Sequence, residues 1–178
     1  MGDSLVFDKD LRFESERLSF RGVSQSDSDR LFGWRSSPHV FSHARTPQPP
    51  ERTEHDIWFA GYLANSQSLR LIINEKVSDK DIGLLALDAR QDGVELSYYL
   101  GEESAQGKGY MKEALSGLLD YLKANTNLQS LLAESRLDNH ASVALIEGLG
   151  GKLQSKHHCD DHDWARYAIR IKGEGDKS

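Results

Sequence analysis

The sequence predicts an α+β domain built around a mixed sheet, and three observations carry that prediction. Three strand-like runs, LRLIINEK, DIGLLALDAR and VELSYYLG, follow one another with only the turn signals VSDKD and QDG between them, the pattern of an antiparallel meander. Apolar residues at helical spacing appear in four stretches before and after the meander. Further strand-like runs near both ends complete the order β-α-α-β-β-β-α-β-α-β-β, which one layered α+β plan accommodates.

Taken in order, residues 16–20 (ERLSF) alternate Leu18 and Phe20 against Arg17 and Ser19, as a half-buried strand does. In SQSDSDRLFGWR, Ser24 is a candidate helix cap, acidic residues fill the first turn, and Leu31, Phe32 and Trp34 supply the apolar side. SSPHVFSHARTPQPPE holds all four prolines of the chain and reads as a loop. RTEHDIWFAGYLAN places Ile57, Trp58, Tyr62 and Leu63 near helical spacing. After the meander, residues 108–124 carry Met111, Leu115, Leu118, Leu119 and Leu122 on one stripe. LQSLLAES is a strand, NHASVALIEGLGG a short helix ending in glycines, and KLQSKHH with WARYAIRI a closing hairpin. One domain over residues 1–178 is expected, with its core in 14–171 and a flexible tail at 172–178.

Composition narrows the partners. The net charge of −6, from 22 basic and 28 acidic residues, provides no electrostatic case for nucleic acid or an anionic membrane. No apolar run approaches the ~20 residues of a membrane span. The opening MGDSLVFDKD lacks the basic-then-apolar pattern of a signal peptide, and the single cysteine, Cys159, has no internal partner. A cytoplasmic protein is therefore the expectation.

The stretch SAQGKGYMKEAL, residues 104–115, sets Gly107 and Gly109 directly before a helix. A helix N-terminus leaves several N–H groups without intrahelical partners and carries partial positive charge. Glycines there remove the side chains that would hold a phosphate away, and Lys108 and Lys112 add charge nearby. The spacing is neither that of a GxxxxGK[ST] loop nor that of a dinucleotide GxGxxG turn.

In its context, Gln106-Gly107-Lys108-Gly109-Tyr110-Met111 resembles the Q/R-x-x-G-x-G/A signature of the GCN5-related N-acetyltransferases. Asn139-His140-Ala141-Ser142 with Leu149-Gly150 resembles that family's N-x-x-S…L-G-F segment. ERLSFRGVSQSDSDRLFGWRSSPHV is similar to the opening of its RimJ/RimL branch, which acts on ribosomal-protein alanine or serine. Together these cover roughly residues 14–171. Two positions depart from the pattern: Met111 stands where Gly or Ala is preferred, and Gly151 where phenylalanine closes the triplet.

The resemblance implies a GNAT fold, with a mostly antiparallel sheet, about four helices, and the fourth and fifth strands splayed apart. It implies acetyl-CoA as donor, the pyrophosphate lying on the backbone of Gln106, Gly107, Lys108, Gly109, Tyr110 and Met111. The pantetheine arm would run beside Tyr99 and Leu100, with an N–H there as oxyanion donor, and Asn139 would contact the arm. Asn139 equally suits a plain helix cap. For the base, Glu95 matches the family's glutamate in the fourth strand; a solvent-facing glutamate opposite Arg70 or Arg90 is the plainer alternative. Asp160 or Asp161, in the turn KHHCDDHDW, competes for that role, as does His158. The helix tyrosine that serves as acid in many members is Ile146 here, so Ser142 takes that role by resemblance to RimL-like proteins.

HHCDDHD carries zinc-ligating residue types, but no second cluster with ligand spacing accompanies it, so a polar turn is expected and no metal. The resemblance builds the acceptor cleft from the first two helices, their loop and the last hairpin: His39, His43, Arg45, Trp58 and the DDHD turn. Arg45 suits an acceptor carboxylate or phosphate, and the acidic turn an amine. A protein N-terminus or similar primary amine is the expected acceptor, with a nucleotide-linked amino sugar, a polyamine or an antibiotic as the alternative. A non-catalytic acyl-CoA-binding role is the alternative of another class, and a homodimer is compatible with the branch.

Overall fold

The computed structural model describes residues 5–172. Its strands are β1 (Arg12–Glu14), β2 (Leu18–Gly22), β3 (Ser68–Glu75), β4 (Lys80–Arg90), β5 (Gly93–Leu100), β6 (Ser130–Arg136), β7 (Lys152–Cys159) and β8 (His162–Arg170). Its helices are α1 (Ser28–Arg35), α2 (Pro38–Phe41), α3 (Arg52–Ala64), α4 (Tyr110–Asn125) and α5 (His140–Gly148). The strands form one sheet in the order β1-β2-β3-β4-β5-β6-β8-β7. The ladders are antiparallel except between β5 and β6, where a helix crossover brings two parallel strands together.

The two faces of the sheet serve different helices. Along β3, Leu71 and Ile73 face one side and Ile72 the other, as the two-residue period of a strand requires. On the first side, α4 lays Ala114, Leu115, Leu118 and Leu122 on Leu18, Phe20, Leu71 and Leu85, and α5 adds Ile146. Each fully buried leucine there contributes about 2 kcal/mol by leaving water. On the second side, α1 and α3 cover Val23, Ile72 and Leu84 with Leu31, Trp34, Phe59 and Tyr62.

The expected meander is present, and so is the long helix with its leucine stripe. Four features differ from the sequence reading. A three-residue strand, β1, precedes the first expected one, so the parting strands are the fifth and sixth. The proline-rich stretch contains a helical turn, α2, for which Pro38 at the first position is suited by its fixed φ. Ser24 is an N-cap as expected, but of a 3-10 turn (Gln25–Asp27) ahead of α1 and not of α1 itself, and its N–H donates to the Asp27 carboxylate at 2.8 Å. Ile57 points outward at 71% exposure, because α3 buries His55, Phe59 and Tyr62 instead. The expected flexible tail falls, beyond Lys172, outside the described residues.

Asp27 is the polar anchor of the second face. It is 2% exposed and accepts from Arg21 Nη1 at 2.8 Å, Arg21 Nη2 at 2.9 Å and Arg30 Nη1 at 3.2 Å. Burial works to raise its carboxyl, but the Arg21 and Ser24 hydrogen bonds outweigh burial and hold it below the usual range.

Candidate active site

The parallel ladder between β5 and β6 covers only Glu95↔Leu132 and Leu96↔Ala133. Beyond Leu96 the strands part. Gly101 N–H donates to the Ile82 carbonyl at 2.8 Å, fixing which backbone groups of this segment face β4. By alternation Tyr99 also turns its backbone toward β4, whereas the N–H and C=O of Tyr98 and Leu100 face the opening. The Tyr99 side chain lies in the second core with Trp34, its hydroxyl buried without a partner. Burial pushes that hydroxyl well above the ordinary tyrosine value.

Glu95, Ser97 and Tyr99 share the face that carries α1 and α3, and Leu132, Glu134 and Arg136 share it on β6. Glu95 stands opposite Asp88, whose carboxylate takes Arg70 Nη1 at 2.7 Å, so neither Arg70 nor Arg90 claims Glu95. Among the described residues, Glu95 makes no hydrogen bond or ion pair. On the opposite face, the hydroxyls of Tyr98 and Ser142 meet at 2.8 Å. Asn139 caps α5, its side-chain oxygen accepting from the Ser142 N–H at 3.3 Å. Cap and hydroxyl pair place the start of α5 beside the parted strands.

The segment 104–111 ends in a left-handed turn. Gly107 and Gly109 both have φ of +75°, a conformation costly for residues with a Cβ. A Cβ on Gly107 would meet nothing within 4 Å, so open space lies in front of the loop. The α4 amides beyond Gly109 face a helix end with no side-chain cap. A pyrophosphate therefore fits this loop, in space and in charge. Gln106 precedes the glycines in extended conformation and Lys108 stands exposed between them, while Tyr110 is buried and donates its hydroxyl to Glu75. Met111 packs on the first core.

A parallel strand pair that opens over an unpaired carboxylate, beside a glycine turn at a helix mouth, has the shape and charge to accept a long phosphorylated ligand. Residues 17–152 match the acetyltransferase (GNAT) domain family. The chain belongs to the GNAT acetyltransferases. This GNAT chain is 28% identical over 141 residues to the uncharacterized N-acetyltransferase p20 of Bacillus licheniformis, covering 76% of its own length and 79% of that protein's. Its fold matches a Vibrio cholerae spermidine N-acetyltransferase solved with CoA and spermine (TM-score 0.77, 18% identity, 88% of this chain and 97% of that one). It also matches a GNAT-family acetyltransferase of Bacillus anthracis (TM-score 0.76, 16% identity, 90% and 99%). Acetyl-CoA is the typical cosubstrate of GNAT enzymes, and this one is an N-acetyltransferase.

The loop between α1 and α3 is tied to β6 and to the end of β5, on both sides of the parting. His39 Nε2–H donates to the Gly101 carbonyl at 3.1 Å, Arg136 Nη1 donates to the Ser42 carbonyl at 2.9 Å, and Arg45 pairs with Glu134. Arg45 is therefore engaged by a carboxylate of its own chain, which the sequence reading did not foresee. Glu134 also accepts from Arg166 at 3.2 Å, and Arg45 lies 5.9 Å over Trp164. Asp160 and Asp161, both left-handed (φ 49° and 62°), form the exposed tip of the β7–β8 hairpin. His158 in the same hairpin binds Asp163 at 2.9 Å. Tyr98 is the site residue that the sequence reading passed over; its only signal is its place one residue before Tyr99 on the strand that parts. Among the described residues, no helix is long and apolar enough to cross a membrane.

Proposed function

We propose that the chain moves an acetyl group from acetyl-CoA to a primary amine by direct attack, the acceptor approaching on the face that carries Glu95. The observation that supports this most is the parting of β5 from β6 directly above an unpaired glutamate. The donor supplies an acetyl thioester. The backbone of Gln106, Gly107, Lys108, Gly109, Tyr110 and Met111 holds its pyrophosphate, and the arm pairs with the free backbone of Tyr98 and Leu100, close to the Tyr99 assignment of the resemblance. Asn139 steadies the start of α5 beside the arm.

Glu95, directly or through one water, takes the proton of the acceptor ammonium and frees the nitrogen lone pair. The nitrogen bonds to the thioester carbon, an N–H of the parted strand receives the developing oxyanion, and the carbon–sulfur bond breaks. As the amide forms, the nitrogen sheds its second proton to Ser142, whose own hydroxyl proton passes to the departing sulfur, so Ser142 ends as it began. Asp161 is the alternative base.

The acceptor is a protein N-terminus or comparable primary amine of RimJ/RimL type, supported by the ERLSFRG opening. A small polycation is the second reading, favoured by the unpaired Glu95 carboxylate on the acceptor face. The described chain works as one acetyltransferase domain, in the cytoplasm. The test is thiol release from acetyl-CoA with a panel of peptides bearing free N-termini, polyamines and amino sugars. Turnover confined to peptides supports the first reading and turnover confined to polyamines the second; tight CoA binding with silence across the panel overturns transfer to amines.

A further inference from the structure

We infer that Arg17 is a positioning residue for the glycine turn that opens α4, holding its amides ready for a pyrophosphate. The inference rests on the acetyl-CoA reading above. Arg17 precedes β2 and is remote in sequence from the turn, yet it is tied to that turn at several points. Its Nε donates to Glu113 Oε1 at 2.6 Å, its backbone N–H donates to Glu113 Oε2 at 2.9 Å, and its Nη1 donates to the Lys108 carbonyl at 2.9 Å. The Ser15 hydroxyl donates to the same Glu113 carboxylate. The guanidinium lies 4.5 Å from the centre of the Tyr110 ring, and its Nη2 would lie 3.6 Å from a Cβ on Gly109.

Two consequences follow for the turn. In a trans peptide the C=O and the next N–H point in opposite directions. Drawing the Lys108 carbonyl onto Arg17 therefore turns the Gly109 N–H away from the guanidinium, and it does so at a glycine, where the lack of a Cβ would otherwise leave the peptide easy to rotate. The second consequence is electrostatic. Glu113 lies in the first turn of α4, where an uncompensated carboxylate would repel a pyrophosphate arriving at the same helix end. Arg17 neutralises it. With 41% of its side chain exposed, Arg17 closes no core, so its loss is expected to leave the fold standing.

The experiment is CoA binding by calorimetry for the wild-type chain, Arg17→Ala, Arg17→Lys and Arg17→Ala/Glu113→Gln, with steady-state kinetics on a responsive amine. Loss of a charge-assisted hydrogen bond predicts a CoA affinity ~10-fold or more weaker in Arg17→Ala. The loss should appear in KM for acetyl-CoA rather than in kcat. Arg17→Lys, which keeps the charge but cannot fork between Glu113 and the Lys108 carbonyl, should fall between, and it guards against an Arg17→Ala variant that fails to fold. Adding Glu113→Gln should restore part of the affinity by removing the uncompensated negative charge. The penalty should shrink with S-acetylpantetheine, which has no pyrophosphate. Arg17→Ala binding CoA as wild type does, or losing both donors equally, overturns the inference. A wild-type chain indifferent to CoA overturns the cofactor reading, and the inference with it.

Discussion

The hydroxyls of Tyr98 and Ser142 lie 2.8 Å apart and join β5 to the first turn of α5 at the place where β5 leaves β6. Burial raises the Tyr98 hydroxyl above its ordinary value, so it stays protonated and is free to donate to Ser142 Oγ. The Ser142 hydrogen is then available to a third partner. If the two hydroxyls act as one unit, Tyr98→Phe and Ser142→Ala should each lower kcat about 10-fold, and the double variant should be little worse than Ser142→Ala alone. Steady-state kinetics of the three variants checks this, and fully additive losses would show two independent roles.

Glu95→Gln should lower turnover by ~10²-fold while calorimetric CoA affinity stays close to that of the wild type. The pH–rate profile is the decisive readout. Its acidic limb should disappear in the variant; an unmoved limb would transfer the base to the Asp160–Asp161 turn.

Gly109→Val forces a branched side chain into a left-handed position beside Arg17 and should weaken CoA binding ~10-fold or more, with the circular dichroism spectrum kept. Gly107→Ala adds its methyl in open space at the same φ, so its defect should be the smaller of the two. Equal defects would indicate that backbone strain alone, and not access to the amides, governs the loss.

His55 should make the fold acid-sensitive. It is 1% exposed; its Nε2–H donates to the Ser28 carbonyl at 3.0 Å, and its Nδ1 is buried without a partner. Burial lowers its pKa most, and Arg35 and Arg52 lower it further against the opposing Ser28 bond. A group whose folded pKa is depressed binds its proton more readily when unfolded. Stability is therefore unaffected well above the ordinary histidine value of 6.5 and falls as pH drops from there toward the folded value. Urea titrations at pH 7.5, 6.5 and 5.5 should show that fall in the wild type and a flatter profile in His55→Gln. Parallel profiles would assign the acid sensitivity elsewhere.

Asp27→Asn should cost about 2–3 kcal/mol, because Arg21 and Arg30 lose the more buried of the two carboxylates they share and keep only Asp81. Asp29, 83% exposed on its side chain and paired with Arg52, is the matched control; Asp29→Asn should cost less than about 1 kcal/mol. Denaturant midpoints at pH 7 compare the two, and equal losses would contradict the burial argument.

What was legible in the sequence was local. The leucine stripe of α4 and the strand–turn–strand–turn–strand run each need only near neighbours, and both appear where the residue pattern puts them. The turn glycines were legible because φ > 0 leaves a mark on residue type. Ile57 misled because α3 faces the sheet through His55, Phe59 and Tyr62; Tyr62 was in the expected stripe, but the face is set a residue or two away from Ile57 and includes a histidine that a count of apolar letters leaves out. The strand β1 is three residues long, too short for alternation to register. The pairs Arg45–Glu134, Tyr98–Ser142 and Arg17–Glu113 join positions 89, 44 and 96 residues apart, and no local pattern records such meetings. The unclaimed carboxylate of Glu95 was likewise invisible, because it depends on Asp88 having taken Arg70.

The threading of the last hairpin has a consequence for biosynthesis. β8 is made after β7 yet sits inside it, between β7 and β6, carrying the buried Ala165, Tyr167 and Ile169. While a nascent chain has emerged only as far as Cys159, β6 has an empty flank and β7 has nothing to bind. The slot closes when the final nine residues of strand arrive, so translation arrested at the hairpin tip would leave an adhesive edge in place of a smaller finished sheet.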